Sequence, residues 1–245
     1  MNYYIRIRTK EQAEVLAGYQ EKMCVLCPLR TGRKIINELK RKGVSVFADL
    51  PFVLRENVKD QILADMEAAD WADGFVVKNI DELGLLDSIG RRENVIGDSF
   101  LYAYNSEAMA FYLEHFPDMR FITPDELTDD ELKRLPENVI YRIYGRARVM
   151  LTAQSLSGNY GIKDGVNLES AMHDRIISLD EDYGFSAIYT ADPVSMIDKD
   201  VPWENVMADL TTENAEETAA VLEALMAGGE APSGIIRGHH FKGID

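Results

Sequence analysis

Cysteine is scarce in this chain: 245 residues carry two, Cys24 and Cys27, both in "KMCVLCPL". With no secretion signal in "MNYYIRIRTKEQ", two thiols argue against a disulfide framework. No apolar run reaches the roughly 20 residues that span a bilayer. The expected location is therefore cytoplasmic, with no membrane partner. Histidine is nearly as rare, at His115, His173, His239 and His240. None forms H-E-x-x-H or a helical i, i+4 pair, and no G-x-S-x-G occurs, so standard zinc and serine hydrolases lack their signatures. Positive charge is in deficit, with 26 Lys and Arg against 42 Asp and Glu and a net charge of −16. An acidic surface repels phosphate backbones, which argues against nucleic acid as a partner. The basic stretches "RTGRK" and "LKRKG" read as solvated helix faces. No G-x-G-x-x-G follows the first strand, which weakens a dinucleotide-binding reading.

What is present is a repeated pairing of a short apolar run with a capped amphipathic one. "YYIRIR" alternates as a strand, and "TKEQAEVLAG" follows as a helix with Thr9 and Gln12 at capping-box spacing. Further strands are expected at "MCVLCPL", "VSVFADLP", "DGFVVKN", "NVIGDSFLYAY", "MRFITP", a long "VIYRIYGRARVML" and "NVMADL". Helices fall between them; Thr128 with Glu131, and Asn214 with Glu217, mark two starts. Alternation of this kind implies parallel strands, and eight of them predict a single (β/α)8 TIM-barrel-like domain over residues 1–245. An open doubly wound sheet is the alternative. Residues from about 155 to 201 break the rhythm. There "HDRIISLDEDYGFSAIYT" predicts a β-hairpin inserted between the seventh and eighth strands, over the C-terminal mouth.

Polar residues just past predicted strands are the functional candidates of a barrel. They are Asp49, Asn79, Asn105, Glu126, Tyr144 with Arg146, and Asp209 with Thr211. Each also has a structural reading: Asn79 and Asn105 as helix caps, Glu126 as a solvated lead-in carboxylate, Asp209 and Thr211 as turn formers. The tail of about 230–245 carries "GIIRGHHFKGID", where Gly238 and Gly243 permit tight turns and His239 is a candidate to line the site. Along a strand, residues three apart point to opposite faces, so Cys24 and Cys27 are expected to be small core residues rather than a redox pair.

Several segments resemble the collagenase-like peptidases of family U-32. They are "LYAYNSEAMAFYLEHFPDMRFITPDELTDDEL", "IYGRARVMLTAQSL", "HDRIISLD", "IYTADPVSMID", "ADLTTENAEE" and "RGHHFKGI", in the family's order from about Val95 onward. The resemblance implies a barrel-like fold and action on a peptide or small-molecule substrate. Carried over to this chain, it points to Glu126, His239 and Asp174 as catalytic, Glu126 as base and His239 as acid or ligand. It points to Asn105, Arg175, Thr211 and Glu213 as substrate-binding, and Tyr144 and Arg146, just past the seventh strand, join them as substrate-binding candidates. Some relatives take part in hydroxylating RNA bases or quinone precursors and hold an iron–sulfur cluster on four cysteines. Here Arg148, Ser155 and the neighbourhood of Phe185 stand where those cysteines are expected, so no cofactor and no metal site is expected. Longer members have upstream material, and the chain resembles their C-terminal module. A peptidase, a non-catalytic binding or assembly subunit, and a hydroxylation protein are thus the three expectations, in that order.

Overall fold

The computed structural model describes residues 1–19, 22–170, 172–199, 202–228 and 234–237. Seven parallel strands come first: β1 (Asn2–Arg6), β2 (Met23–Pro28), β3 (Ser45–Asp49), β4 (Gly74–Val77), β5 (Val95–Gly97), β6 (Arg120–Ile122) and β7 (Val139–Gly145). Between them run α1 (Lys10–Leu16), α2 (Arg33–Arg41), α3 (Glu56–Glu67), α4 (Ile80–Ser88), α5 (Ser106–Leu113) and α6 (Asp129–Leu132). The chain then leaves the barrel through β8 (Arg148–Thr152), α7 (Leu156–Tyr160), β9 (Asn167–Glu169), β10 (Arg175–Glu181), β11 (Phe185–Thr190) and β12 (Val194–Ser195). It returns as β13 (Asn205–Asp209), followed by α8 (Ala215–Ala227). β13 lies between β7 and β1, and β6 pairs with β7, so eight parallel strands close on themselves. The barrel is the expected fold, and the open sheet is not adopted. Among the described residues no helix is long and apolar enough to cross a membrane.

The local signals act as their chemistry predicts. The side chains of Thr9, Thr128 and Asn214 each accept from the backbone of a residue three on, and Gln12, Glu131 and Glu217 reach back to the cap. Each such cap stabilises its helix by about 1 kcal/mol. β4, buried on both faces, is a continuous apolar run, as parallel sheets under helices require, and β7 is interrupted by a charge only at Arg142.

Two layers of core result. Every barrel strand sends at least one side chain into the lumen: Tyr4, Cys24 and Leu26, Phe47, Val76, Ile96, Ile122, Ile140 and Met207. The opposite faces pack under the helices, Ile5, Val25, Cys27 and Val46 among them. Cys24 therefore sits in the lumen and Cys27 in the outer layer. Both are free, buried thiols, pushed by burial up to about 12.

One sequence expectation is corrected. The long seventh strand is two strands in two sheets, broken at Gly145. This glycine has φ +151°, and a Cβ on it would come within 2.6 Å of Arg142 Nη1 and 2.8 Å of Asp209 Cβ. Only glycine fits there, and the chain turns out of the barrel just after it. The insertion thus begins near Arg148 rather than Ser155. It is a four-stranded antiparallel sheet ordered β8-β11-β10-β9, with the predicted hairpin, Glu181 opposite Phe185, at its centre. The hairpin tip is anchored over the mouth. Arg55 Nη2 donates to the carbonyls of Tyr183 at 3.1 Å and Gly184 at 2.9 Å, Tyr183 donates to Asp65 at 2.8 Å, and Arg30 lies over the Tyr183 ring.

Candidate active site at the barrel mouth

The lumen is apolar at mid-height and charged at its C-terminal end. The alternation that buries Tyr4, Phe47, Val76, Ile96, Ile140 and Met207 puts Arg6, Asp49, Lys78, Asp98, Arg142 and Asp209 two residues further along the same face. Arg6 is the hub, with 3% of its surface exposed. Its Nη1 donates to Asp209 Oδ2 at 2.8 Å and its Nη2 to Asp98 Oδ2, while its Nε lies 3.1 Å from Asp49 Oδ2 without the alignment of a hydrogen bond. Lys78 Nζ binds Asp49 and the Leu50 carbonyl. Arg142 grips Asp125 with two nitrogens, its Nε at 2.7 Å. Three aspartates on one guanidinium would repel one another without it. Burial opposes the charge of Asp98, but Arg6 and then Lys78 outweigh it and hold this carboxyl down at about 2.

A second buried carboxyl behaves in the opposite way. Glu82 Oε2 accepts from the Lys78 backbone at 2.6 Å, and Oε1 is buried with no partner. Burial pushes its pKa up to about 8, Lys78 counteracting only in part, so it is largely protonated at pH 7. Asp209 also keeps one buried oxygen, Oδ1, without a hydrogen-bond partner. Such atoms are rare in native proteins and mark places where water or a ligand is bound.

The insertion closes the mouth from above. Arg8 Nη1 donates to Glu181 at 2.7 Å and Nη2 to the Tyr189 hydroxyl at 2.7 Å. Beneath the tip, a cavity of about 30 Å³ is lined by Arg8, Asp49, Phe52, Lys78, Glu181 and Tyr183 among others. That is room for about one water.

The residues expected from sequence divide into three groups. Tyr144, Arg146, Thr211 and Glu213 are brought together. Tyr144 Oη donates to Glu213 Oε1 at 3.0 Å, Arg146 Nη1 donates to Thr211 Oγ1 at 2.7 Å and to Glu213, and the Thr211 backbone donates to Glu213 Oε2 at 2.6 Å. Their polar groups serve one another and fix the β13 loop against β7. Asn105, Glu126, Asp174 and Arg175 are exposed and apart from that cluster. Asn105 caps α5 by accepting from Ala108 N at 2.8 Å, and Glu126 hydrogen-bonds Tyr104 while its neighbour Asp125 turns to Arg142. Asp174 bonds Ser170 and Arg175 pairs with Asp192, both within the insertion and its return. His239 lies outside the described residues. Asp49 and Asp209 are members of the central network. Arg6, Lys78, Asp98 and Arg142 are not among the sequence candidates, because a lone charge in or just past a strand reads as a solvent-facing residue; their signal is the register, each following a buried lumen residue by two. Glu82 on α4 and Asp125 in the loop after β6 are missed as well, and no register marks them.

The two cysteines lie on opposite faces of β2, and Ser155 gives its hydroxyl to Asp180 at 2.5 Å. Among the described residues no group of three His, Cys, Asp or Glu is arranged to hold a metal ion.

No family model matches the chain, and no curated protein does. Among solved structures, the Bacillus cereus spore cortex-lytic enzyme SleL superposes over 92% of this chain and 74% of its own, with a TM-score of 0.35 and 7% sequence identity. A superposition that loose carries no argument about activity.

Proposed function

We propose that the barrel mouth is the active site of a hydrolase that cleaves amide bonds in peptides, with Asp209 as general base. The observation that carries this reading is Asp209 itself. One of its oxygens is pinned by Arg6, and the other is buried, unpartnered and at the C-terminal end of a barrel strand, where barrel enzymes place their chemistry. Burying several ion pairs in one layer is seldom stabilising against an apolar alternative, so the charges of this layer fit a functional role better than a structural one. The resemblance to U-32 peptidases supplies the substrate class. In the step proposed, Asp209 Oδ1 takes a proton from water as the water oxygen adds to the amide carbon. The C–N bond then breaks, and the proton passes to the departing nitrogen. Arg8, whose Nε is buried without a partner, is the cation available to the carbonyl oxygen.

The test is incubation of the purified chain with a mixed peptide library, read by mass spectrometry for new termini. Cleavage is expected, with a loss of about 100-fold or more in Asp209→Asn, the variant melting lower because Arg6 loses one counter-ion but keeping its native circular dichroism. Glu126→Gln and His239→Ala, at the positions the resemblance indicates, run beside it. Absence of cleavage by the wild-type chain, or full activity in Asp209→Asn, refutes the assignment. A second reading, a non-catalytic binding or assembly subunit, is favoured by the small cavity under the hairpin tip. A stable co-purifying partner together with no turnover would support it.

A further inference from the structure

Arg148 opens β8, where the chain leaves the barrel for the insertion. Its guanidinium carbon lies 3.9 Å from the ring centre of Phe52 and 3.4 Å from that of Phe100, and these two rings meet edge to face at 5.3 Å. Phe52 follows β3 and Phe100 follows β5, so two barrel loops and the root of the insertion build one aromatic clamp.

The other cations around the mouth are paired with carboxylates or, for Arg55, hydrogen-bonded to backbone carbonyls. Arg6 has its three aspartates, Lys78 has Asp49, Arg8 has Glu181, Arg142 has Asp125, and Arg146 has Glu213. Arg148 differs. Among the described residues it makes no ion pair and no side-chain hydrogen bond, and its Nη1 is buried without an acceptor. Asp98 and Glu181 act on it only from beyond ion-pair distance, and burial lowers its pKa. A buried donor left unsatisfied is costly, and more so when it is charged. Stacking fixes the plane of the guanidinium and leaves its N–H edge without a partner, the geometry that grips a carboxylate with two parallel hydrogen bonds. Lys78 Nζ, paired with Asp49, lies 4.7 Å from the Phe52 ring centre.

We propose that Arg148, clamped by Phe52 and Phe100, is a subsite for a carboxylate of the substrate. Its role as a substrate subsite rests on the peptide-hydrolase reading, whereas its binding of a carboxylate does not. On a peptide the group is the free C-terminus or an acidic side chain, and the test separates the two.

Isothermal titration calorimetry is run with three probes: N-acetyl-Ala-Ala with a free C-terminus, its C-terminal amide, and N-acetyl-Ala-Glu amide. Asp209→Asn protein is used, so that no probe is consumed. At least one acid is expected to bind about 10-fold or more tightly than the amide, and the tighter acid names the source of the carboxylate. Arg148→Met keeps an apolar stem between the rings and is expected to abolish the preference, with folding checked by circular dichroism. Phe100→Leu opens one side of the clamp and should weaken acid binding while leaving amide binding alone. Equal binding of acid and amide, no binding of either acid at about 10 mM, or a preference that survives Arg148→Met overturns the proposal. A preference for acids in a chain that cleaves no peptide would leave the subsite standing and remove the hydrolase reading; cleavage without any preference would do the reverse.

Discussion

Replacing Arg6 by methionine tests whether the ion network at the barrel mouth is energetically one unit. The side chain is 4% exposed and holds Asp49, Asp98 and Asp209, from three separate strands. Breaking a buried pair by removing one partner costs about 3–5 kcal/mol, because a charge is left without its counter-ion. Asp98 gives an independent estimate. Its carboxyl falls from 3.8 to about 2 although burial pushes it upward, and that depression corresponds to about 2 kcal/mol. A depressed folded pKa means that this contribution is present above about pH 4 and is lost as pH falls through about 2. Without Arg6, burial prevails and the Asp98 carboxyl rises, so the variant recovers stability relative to wild type as Asp98 protonates. Urea unfolding followed by circular dichroism should show a loss of about 3–5 kcal/mol at pH 7, shrinking by about half or more at pH 4.5. Adding Asp98→Asn to Arg6→Met should return about 1–2 kcal/mol at pH 7. A loss below about 1 kcal/mol, or one equal at both pH values, would show that the three aspartates are not coupled through Arg6 and refute the reasoning.

Glu82 titrates with the opposite sign. Its folded pKa of about 8 stands above the ordinary 4.5, so its contribution is complete below about pH 4.5 and is lost as pH rises through 8. Glu82→Gln should therefore be near neutral at pH 5 and flatten the decline of stability from pH 5 to 9, by a few kcal/mol; thermal melts across that range would show an unchanged slope if the carboxyl were ionised throughout. Cys24 and Cys27, both buried and with thiols near 12, should not react with Ellman's reagent in the native chain and should both react in 8 M urea, within the assay's error of about a tenth of an equivalent. Rapid labelling of either thiol without denaturant would contradict their placement. Arg55→Ala removes two hydrogen bonds to the hairpin tip. Amide exchange around Tyr183–Phe185 should rise about 10-fold while global stability changes by less than about 1 kcal/mol, and unchanged exchange would mean that the tip is held by other contacts.

Much of the fold was legible because its signals are local. Period-2 apolar runs, helical runs and the caps at Thr9, Thr128 and Asn214 depend on residues within one or two turns. From them followed the βα alternation, the hairpin around Asp182–Gly184, and the opposite faces of Cys24 and Cys27. The boundary at Gly145 was not legible, since "VIYRIYGRARVML" alternates without interruption. A positive φ and the approach of Asp209, from a strand more than sixty residues on, decide that break.

The site divides along the same line. Alternation by itself put Tyr4, Arg6 and Arg8 on one face, and position after a strand picked out Asp49, Asp209, Tyr144 and Arg146. Alternation cannot say whether a face looks into a lumen or into water; only barrel closure, made by β6 with β7 and β13 with β1, turned those charges inward. The partners of Arg6 lie on β3, at the end of β5 and on β13, and no sequence spacing relates them. Between Asp125 and Glu126 the choice was one residue of loop direction, settled by the reach of Arg142. Sequence thus determined which residues share a face and, through its caps and apolar runs, the βα alternation. Tertiary structure decided which charges meet, because that depends on strand order around a closed barrel and on an insertion folded across its mouth.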